Sequence, residues 1–178
     1  MAEYQKRIIK KKICLLGDPA VGKTSLIRRY VMDKYDDEYI STLGTKVTKK
    51  EVEIRDDFNF TQYNLTFMIW DVLGQKEFKR IHQAAFQGTK GALIVCDLTR
   101  WETIQALDEW STNLFAVSGK VPIIFLGNKV DLVENPSSEF IGQVAEKYNA
   151  PFFLTSAKTG INVDTAFLNL GEDVVKYM

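Results

Sequence analysis

The segment Gly17-Asp18-Pro19-Ala20-Val21-Gly22-Lys23-Thr24 fits the spacing G-x-x-x-x-G-K-[ST] and directly follows the apolar run Ile13-Cys14-Leu15-Leu16. That placement constrains the fold more than the match itself. A loop that cradles an anion needs a strand to deliver the chain and a helix whose first N–H groups face the charge. Ser25 to Met32 supplies the helix, with Leu26, Ile27, Tyr30 and Val31 turned inward. Gly17 and Gly22 let the backbone approach phosphate oxygens with no Cβ in the way. Pro19 has no N–H, so the expected anion nest uses Ala20, Val21, Gly22, Lys23 and Thr24. Ser25, in the first turn of the helix, joins them as a candidate cofactor-binding residue. Lys23 brings an ammonium to the β- and γ-phosphates, and the Thr24 hydroxyl is offered to Mg²⁺.

Apolar runs of strand length recur at Ile13–Leu16, Leu65–Trp70, Ala92–Cys96, Pro122–Leu126 and Pro151–Leu154. Several are continuous rather than alternating, as in strands covered on both faces. Helix-period segments separate most of them. Thr99-Arg100-Trp101-Glu102 reads as a capping box opening a helix over Trp101–Val117. Asn135-Pro136 opens another that runs to about Tyr148, and Ile161–Asp164 opens a last one with Val163, Phe167, Leu170 and Val174 on one face. Lys46–Ile54 breaks the alternation. It leads through the Asp-rich turn near Arg55–Asn59 into Leu65–Trp70 with no helix between, so an antiparallel hairpin at one sheet edge is expected. The whole predicts one domain over residues 1–178: an α/β fold with a mostly parallel six-stranded sheet, one antiparallel edge strand and helices on both faces.

Ligands of such sheets sit beyond the carboxyl ends of the strands, and the remaining motifs fall there. Asp71-Val72-Leu73-Gly74-Gln75 follows the second run. Asp71 can hold Mg²⁺, Gly74 can bring its N–H to a γ-phosphate, and Gln75 can orient an attacking water. Asn128-Lys129-Val130-Asp131 and Ser156-Ala157-Lys158 follow the fourth and fifth runs. The Asp131 carboxylate can accept from both N1–H and the 2-amino group of guanine. Adenine offers neither donor, and rejection at a polar site of this kind reaches roughly 10⁴.

Composition excludes other classes. Lys plus Arg and Asp plus Glu both number 23, so the formal charge is zero and a nucleic-acid-coating role is not expected. No apolar stretch approaches the roughly 18 residues of a membrane span, and no signal-type segment is present. Cys14 and Cys96 lie inside apolar runs and read as buried free thiols of a reducing cytosol, with no metal-ligand spacing. The single His82 reads as a surface helix residue. Lys6, Arg7, Lys10, Lys11 and Lys12 fit either a membrane-surface patch or a solvated lead-in to the first strand; the second is expected.

These motifs together resemble the small GTPases of the Ras superfamily, most closely the Rab branch. The likeness runs from about Lys11 to Val175 and includes Tyr-Ile-Ser-Thr-Leu-Gly at 39–44, Trp-Asp-x-x-Gly-Gln at 70–75 and Thr-Ser-Ala-Lys at 155–158. The resemblance implies a P-loop G domain that binds GTP with Mg²⁺, hydrolyses it to GDP and acts as a switch. It implies that Thr42 joins Thr24 and Asp71 at the metal and senses the γ-phosphate, counting with Gln75 and Lys23 as catalytic. Tyr35 would pack on guanine and Tyr39 would close over the phosphates. Asn128 would steady the base, the Lys129 stem would lie over it, and the Ala157 N–H would meet its carbonyl, with Ser156 and Lys158 in the same loop. Effectors, an exchange factor and an activating protein would engage residues 36–46 and 72–86. The expected location is cytoplasmic, with peripheral membrane attachment if a lipidated tail follows Met178.

The chain also departs from the Rab pattern. Val72-Leu73 stands where Thr-Ala is usual, Leu43-Gly44-Thr45-Lys46-Val47 differs from Ile-Gly-Val-Asp-Phe, and the hairpin is several residues longer. No arginine lies between Lys34 and Lys46 to act as a finger in cis. Pro19 and Val72-Leu73 leave a GTP-locked interaction module with little hydrolysis as a second expectation, against which Gln75 stands, and a small-molecule kinase is a third that lacks a visible lid. Pro19 stands where Gly or Ser is common, near the entry path of an activator's arginine, and is expected to narrow it. Pro19→Gly should accordingly raise activator-stimulated turnover; unchanged stimulation by a cognate activator would overturn this.

Overall fold

The computed structural model describes residues 3–35, 45–136 and 138–178. Six strands, β1 (Gln5–Leu16), β2 (Lys46–Asp56), β3 (Thr61–Asp71), β4 (Gly91–Asp97), β5 (Ile123–Asn128) and β6 (Phe152–Leu154), form one sheet in the order β2-β3-β1-β4-β5-β6. All neighbours are parallel except β2 with β3. Around it lie α1 (Lys23–Met32), α2 (Lys79–Phe86), α3 (Trp101–Gln105), α4 (Leu107–Ser118), α5 (Glu139–Lys147) and α6 (Val163–Lys176). The expected architecture, with its antiparallel edge hairpin, is the observed one.

Alternate residues of the central strands divide between two cores. Ile13, Leu15, Leu93, Val95, Ile124 and Leu126 pack with α1 and α6, while Cys14, Leu16, Ile94, Cys96, Ile123 and Phe125 pack with α2, α3, α4 and α5. Every residue of β4 and β5 is buried, which is why those strands read as unbroken apolar runs. Burial pushes the thiol pKa of Cys14 up to about 11 and that of Cys96 to about 12; both are free. On the first face, Tyr30 of α1 and Phe167 of α6 stack at 3.9 Å and 4°. The face of α6 built from Val163, Phe167, Leu170 and Val174 is buried as expected.

Four local expectations are corrected. β1 begins at Gln5, eight residues before its apolar run, because β3 pairs with it from Thr61 onward while its lysines stay at the surface. The helix expected over Trp101–Val117 is two helices interrupted at Ala106, and no side-chain cap opens it. The Thr99 side chain is instead turned to the Asp97 carboxylate, to which its hydroxyl donates at 2.6 Å, a charge-assisted bond. Asn135-Pro136 does not cap α5, whose first bond runs from Gly142 N–H to the Ser138 carbonyl. His82 is buried, not on the surface. Among the described residues, no helix is long and apolar enough to cross a membrane.

Replacing Phe167 with alanine should destabilise the fold by about 3–5 kcal/mol, since it deletes one ring of the α1–α6 stack and leaves a cavity. The urea midpoint would read this, and a loss under 1 kcal/mol would show that the stack contributes little.

Candidate nucleotide-binding site

β1 hands the chain to Gly17 at φ 144°, where a Cβ would lie 2.2 Å from the Val95 carbonyl oxygen. Gly22, at φ 103°, caps α1, and a Cβ there would lie 2.3 Å from Asn128 Nδ2. Both positions need glycine for conformation and for space. Between them, five successive carbonyls accept from side chains. Lys23 Nζ donates to Gly17 at 2.8 Å and Asp18 at 3.0 Å, Arg100 Nη2 to Pro19 at 2.6 Å, Lys129 Nζ to Ala20 at 2.9 Å and Asn128 Nδ2 to Val21 at 2.9 Å. Peptide planarity sets each following N–H opposite its carbonyl. With the carbonyls of 19–21 drawn toward outlying loops, the N–H groups of Ala20, Val21 and Gly22 face the other way, as an anion nest requires. Those of Lys23, Thr24 and Ser25 precede the first intrahelical bond of α1, from Leu26 N–H to the Gly22 carbonyl.

Lys23 is buried, and burial pushes its pKa down to about 8 while Asp71 and Asp18 pull it back up. Asp71 ends β3, and its Oδ2 accepts from the Thr24 hydroxyl at 2.5 Å. A hydroxyl and a carboxylate meeting at one point beside the cradle are the hard oxygen donors that Mg²⁺ takes, so the residues fit that ion. Gly74 rests on the loop so closely that a Cβ would lie 2.5 Å from Pro19 N. Gln75 follows it, half-buried.

The other end of the site is a cavity of about 160 Å³ lined by Gly22, Ser25, Tyr35, Asn128, Lys129, Asp131, Leu132, Ala157 and Lys158. Asp131 stands at its rim, and Oδ1 accepts from Ser156 Oγ at 2.6 Å. Asn128, wholly buried, also accepts at Oδ1 from Thr155 Oγ1 at 3.1 Å, and so ties the loop after β5 to those after β1 and β6. Of the expected site residues, these and the cradle come together; Tyr39 and Thr42 lie outside the described residues.

Several residues here escaped the motif reading. Asp97 is buried at the carboxyl end of β4, where it accepts from Lys129 Nζ at 2.7 Å and Arg100 Nε at 3.2 Å. Burial pushes its pKa up, but the hydrogen bonds from Lys129 and Thr99 outweigh that and hold it below the usual carboxylate range. Lys129 itself is held left-handed at φ 67°, a conformation that costs of order 1 kcal/mol and gathers at functional sites. Arg29 donates to the carbonyls of Ala157 at 2.8 Å and Lys158 at 2.6 Å, fixing the last loop. Only Asp97 carried a usable signal, as an acidic residue ending a buried strand on the ligand side.

A glycine-bounded phosphate cradle and a base-sized cavity, both beyond the carboxyl ends of parallel strands, define a P-loop nucleotide-binding domain. Residues 12–176 match the Ras family. The Ypt/Rab-type GTPase YPT7 of Saccharomyces cerevisiae is 36% identical over 186 aligned residues, covering 99% of this chain and 86% of that protein. The Ras-related proteins RABG3f of Arabidopsis thaliana and Rab7 of Pisum sativum are each 32% identical, over 93% of this chain and 82% of their own length. The chain belongs to the Ras family of small GTPases, in its Rab branch.

Asp97→Asn should lower stability by about 1–3 kcal/mol at neutral pH, because Lys129 and Arg100 lose their shared buried charge. A depressed carboxylate stabilises above its unfolded pKa of about 3.9 and loses that contribution as pH falls through the folded value. The gap between native and variant should therefore close below about pH 4 in urea titrations. A gap independent of pH would assign the loss to packing.

Proposed function

We propose that the cradle, the Thr24–Asp71 pair and the Asp131 cavity are the working parts of a guanine-nucleotide switch. As a Rab-like small GTPase the chain binds GTP, hydrolyses it to GDP and phosphate, and serves as a switch in vesicle traffic. One observation supports the residue assignments above others. Asp131, oriented by Ser156, lines a cavity that Gly22 and Ser25 at the start of α1 also line, so in this reading base and phosphate sites adjoin.

In this reading the N–H groups of Ala20 to Ser25 hold the phosphates, and the Lys23 ammonium neutralises the β- and γ-oxygens. Thr24, Asp71 and Thr42 would hold Mg²⁺, which supplies positive charge against the phosphate oxygens when bound. Gln75 orients the attacking water through its amide. Asp131 accepts from guanine, Tyr35 and the Lys129 stem flank the ring, and the Ala157 N–H meets its carbonyl, with Lys158 closing the loop. Charge stabilisation comes from groups already fixed by the fold, so little reorganisation is needed at reaction. Regulators and effectors act on such switches in general; the surfaces proposed for them are residues 36–46 and 72–86. A module that binds GTP without hydrolysis is not favoured, because Gln75 is present and the relative YPT7 is a GTPase by name.

Asp131→Ala should weaken GTP binding by about 10²-fold or more while leaving ATP binding unchanged, collapsing the preference in calorimetric titrations. Equal selectivity in the variant would move base recognition elsewhere. Unassisted turnover should be about 10⁻⁴ to 10⁻³ s⁻¹, and Gln75→Leu should lower it further in single-turnover assays. A rate above about 0.1 s⁻¹ without a partner would contradict the absence of an arginine in cis.

A further inference from the structure

Two side chains outside every motif close a circuit of contacts around the second switch segment. His82 on α2 is 7% exposed, and its Nε2 lies 2.7 Å from the Leu73 carbonyl oxygen. A carbonyl only accepts, so Nε2 carries the hydrogen. The imidazole packs on Phe86 at 5.9 Å and meets Trp110 of α4 at 5.0 Å with the planes 59° apart. Trp110 is 2% exposed, and its indole Nε1 donates to Asp18 Oδ1 at 2.9 Å. Asp18 in turn lies against Gly74, where a Cβ would stand 2.7 Å from its carbonyl carbon. Leu73, His82, Trp110, Asp18 and Gly74 thus form a closed ring of contacts, and Gln75 is the next residue out of it.

The segment Val72–Gln75 has no regular structure of its own. Its backbone is fastened at Val72, whose N–H donates to the Leu15 carbonyl at 3.3 Å, and then at Leu73 by His82. An amide that must present both its oxygen and its nitrogen to one water tolerates little displacement, since a shift of about 1 Å can cost about 10²-fold in rate. We propose that His82 is a positioning residue for GTP hydrolysis: its hydrogen bond to the Leu73 carbonyl, backed by Trp110 on Asp18, clamps Leu73-Gly74-Gln75 against the phosphate loop. This rests on the role given to Gln75 above. His82 touches no nucleotide and acts through Leu73. The clamp couples the two loops, so that displacing α2 displaces the residue that orients water.

The test uses the full chain with GTP and Mg²⁺. His82→Leu keeps an apolar body between Phe86 and Trp110 but removes the donor; His82→Gln restores a donor. Single-turnover hydrolysis should fall about ten- to a hundredfold in His82→Leu, with GTP affinity within about threefold of native. Amide hydrogen exchange across residues 72–78 should quicken about tenfold. His82→Gln should recover most of both, and Trp110→Phe should reproduce the loss in part. A histidine that only fills space would let His82→Leu hydrolyse GTP like the native chain, and that result, alongside a Gln75→Leu variant that is impaired, overturns the clamp alone. If Gln75→Leu hydrolyses normally, the role of Gln75 falls instead, and hydrogen exchange then decides the clamp: unchanged exchange in His82→Leu overturns it, and faster exchange upholds it.

Discussion

The shape of the phosphate loop depends on where its carbonyls go. Five in succession, from Gly17 to Val21, are bound by side chains, and only Lys23 belongs to the loop itself. Arg100 comes from the turn between β4 and α3, and Asn128 and Lys129 from the end of β5 and the residue after it. Two guanidinium or ammonium groups and one amide therefore draw the backbone outward, which leaves its N–H groups on the concave side. A short loop with two glycines has too much freedom to hold that arrangement alone. The anion nest is a tertiary construction built on a local motif.

Asp97 is the hub of that construction. One buried carboxylate holds the Arg100 and Lys129 side chains, and each of those holds a carbonyl of the loop. It also takes the hydroxyl and the N–H of Thr99, so its lone pairs are well used. Burying a carboxylate is unfavourable unless it is paired and hydrogen-bonded, and here both conditions are met. The left-handed backbone of Lys129 is tolerated in this setting, because its ammonium is held at both Ala20 and Asp97. The loops after β1, β4 and β5 therefore share these supports.

Much of the fold was legible because the signals were local. The unbroken apolar runs of β4 and β5 mark strands covered on both faces, and the period of Val163, Phe167, Leu170 and Val174 marks α6. What misled was also local. The basic residues Lys6, Arg7, Lys10, Lys11 and Lys12 hid the first half of β1, which is a strand because β3 offers it a ladder. Thr99 looked like a helix cap, yet its hydroxyl found the charged Asp97 nearby. A lone histidine in an amphipathic helix gave no hint that Leu73 and Trp110 would enclose it. β3 is distant in sequence from β1, and Trp110 from His82, whereas Asp97 lies two residues from Thr99 and competes with the helix as a local partner.

The sequence by itself determined the chemistry available: glycines at 17 and 22, the ammonium of Lys23, the oxygens of Thr24 and Asp71, the amide of Gln75 and the carboxylate of Asp131. It also determined the order of strands and helices, since hydrophobic period and turn residues are properties of neighbouring positions. Only the tertiary structure decided which of these groups meet. Ser156 reaches Asp131, Asn128 reaches Val21, and Trp110 reaches Asp18 across separations of 25, 107 and 92 residues. Contacts of that span arise from the parallel sheet, which brings the carboxyl ends of β1, β3, β4, β5 and β6 to one edge, and no window of sequence contains them.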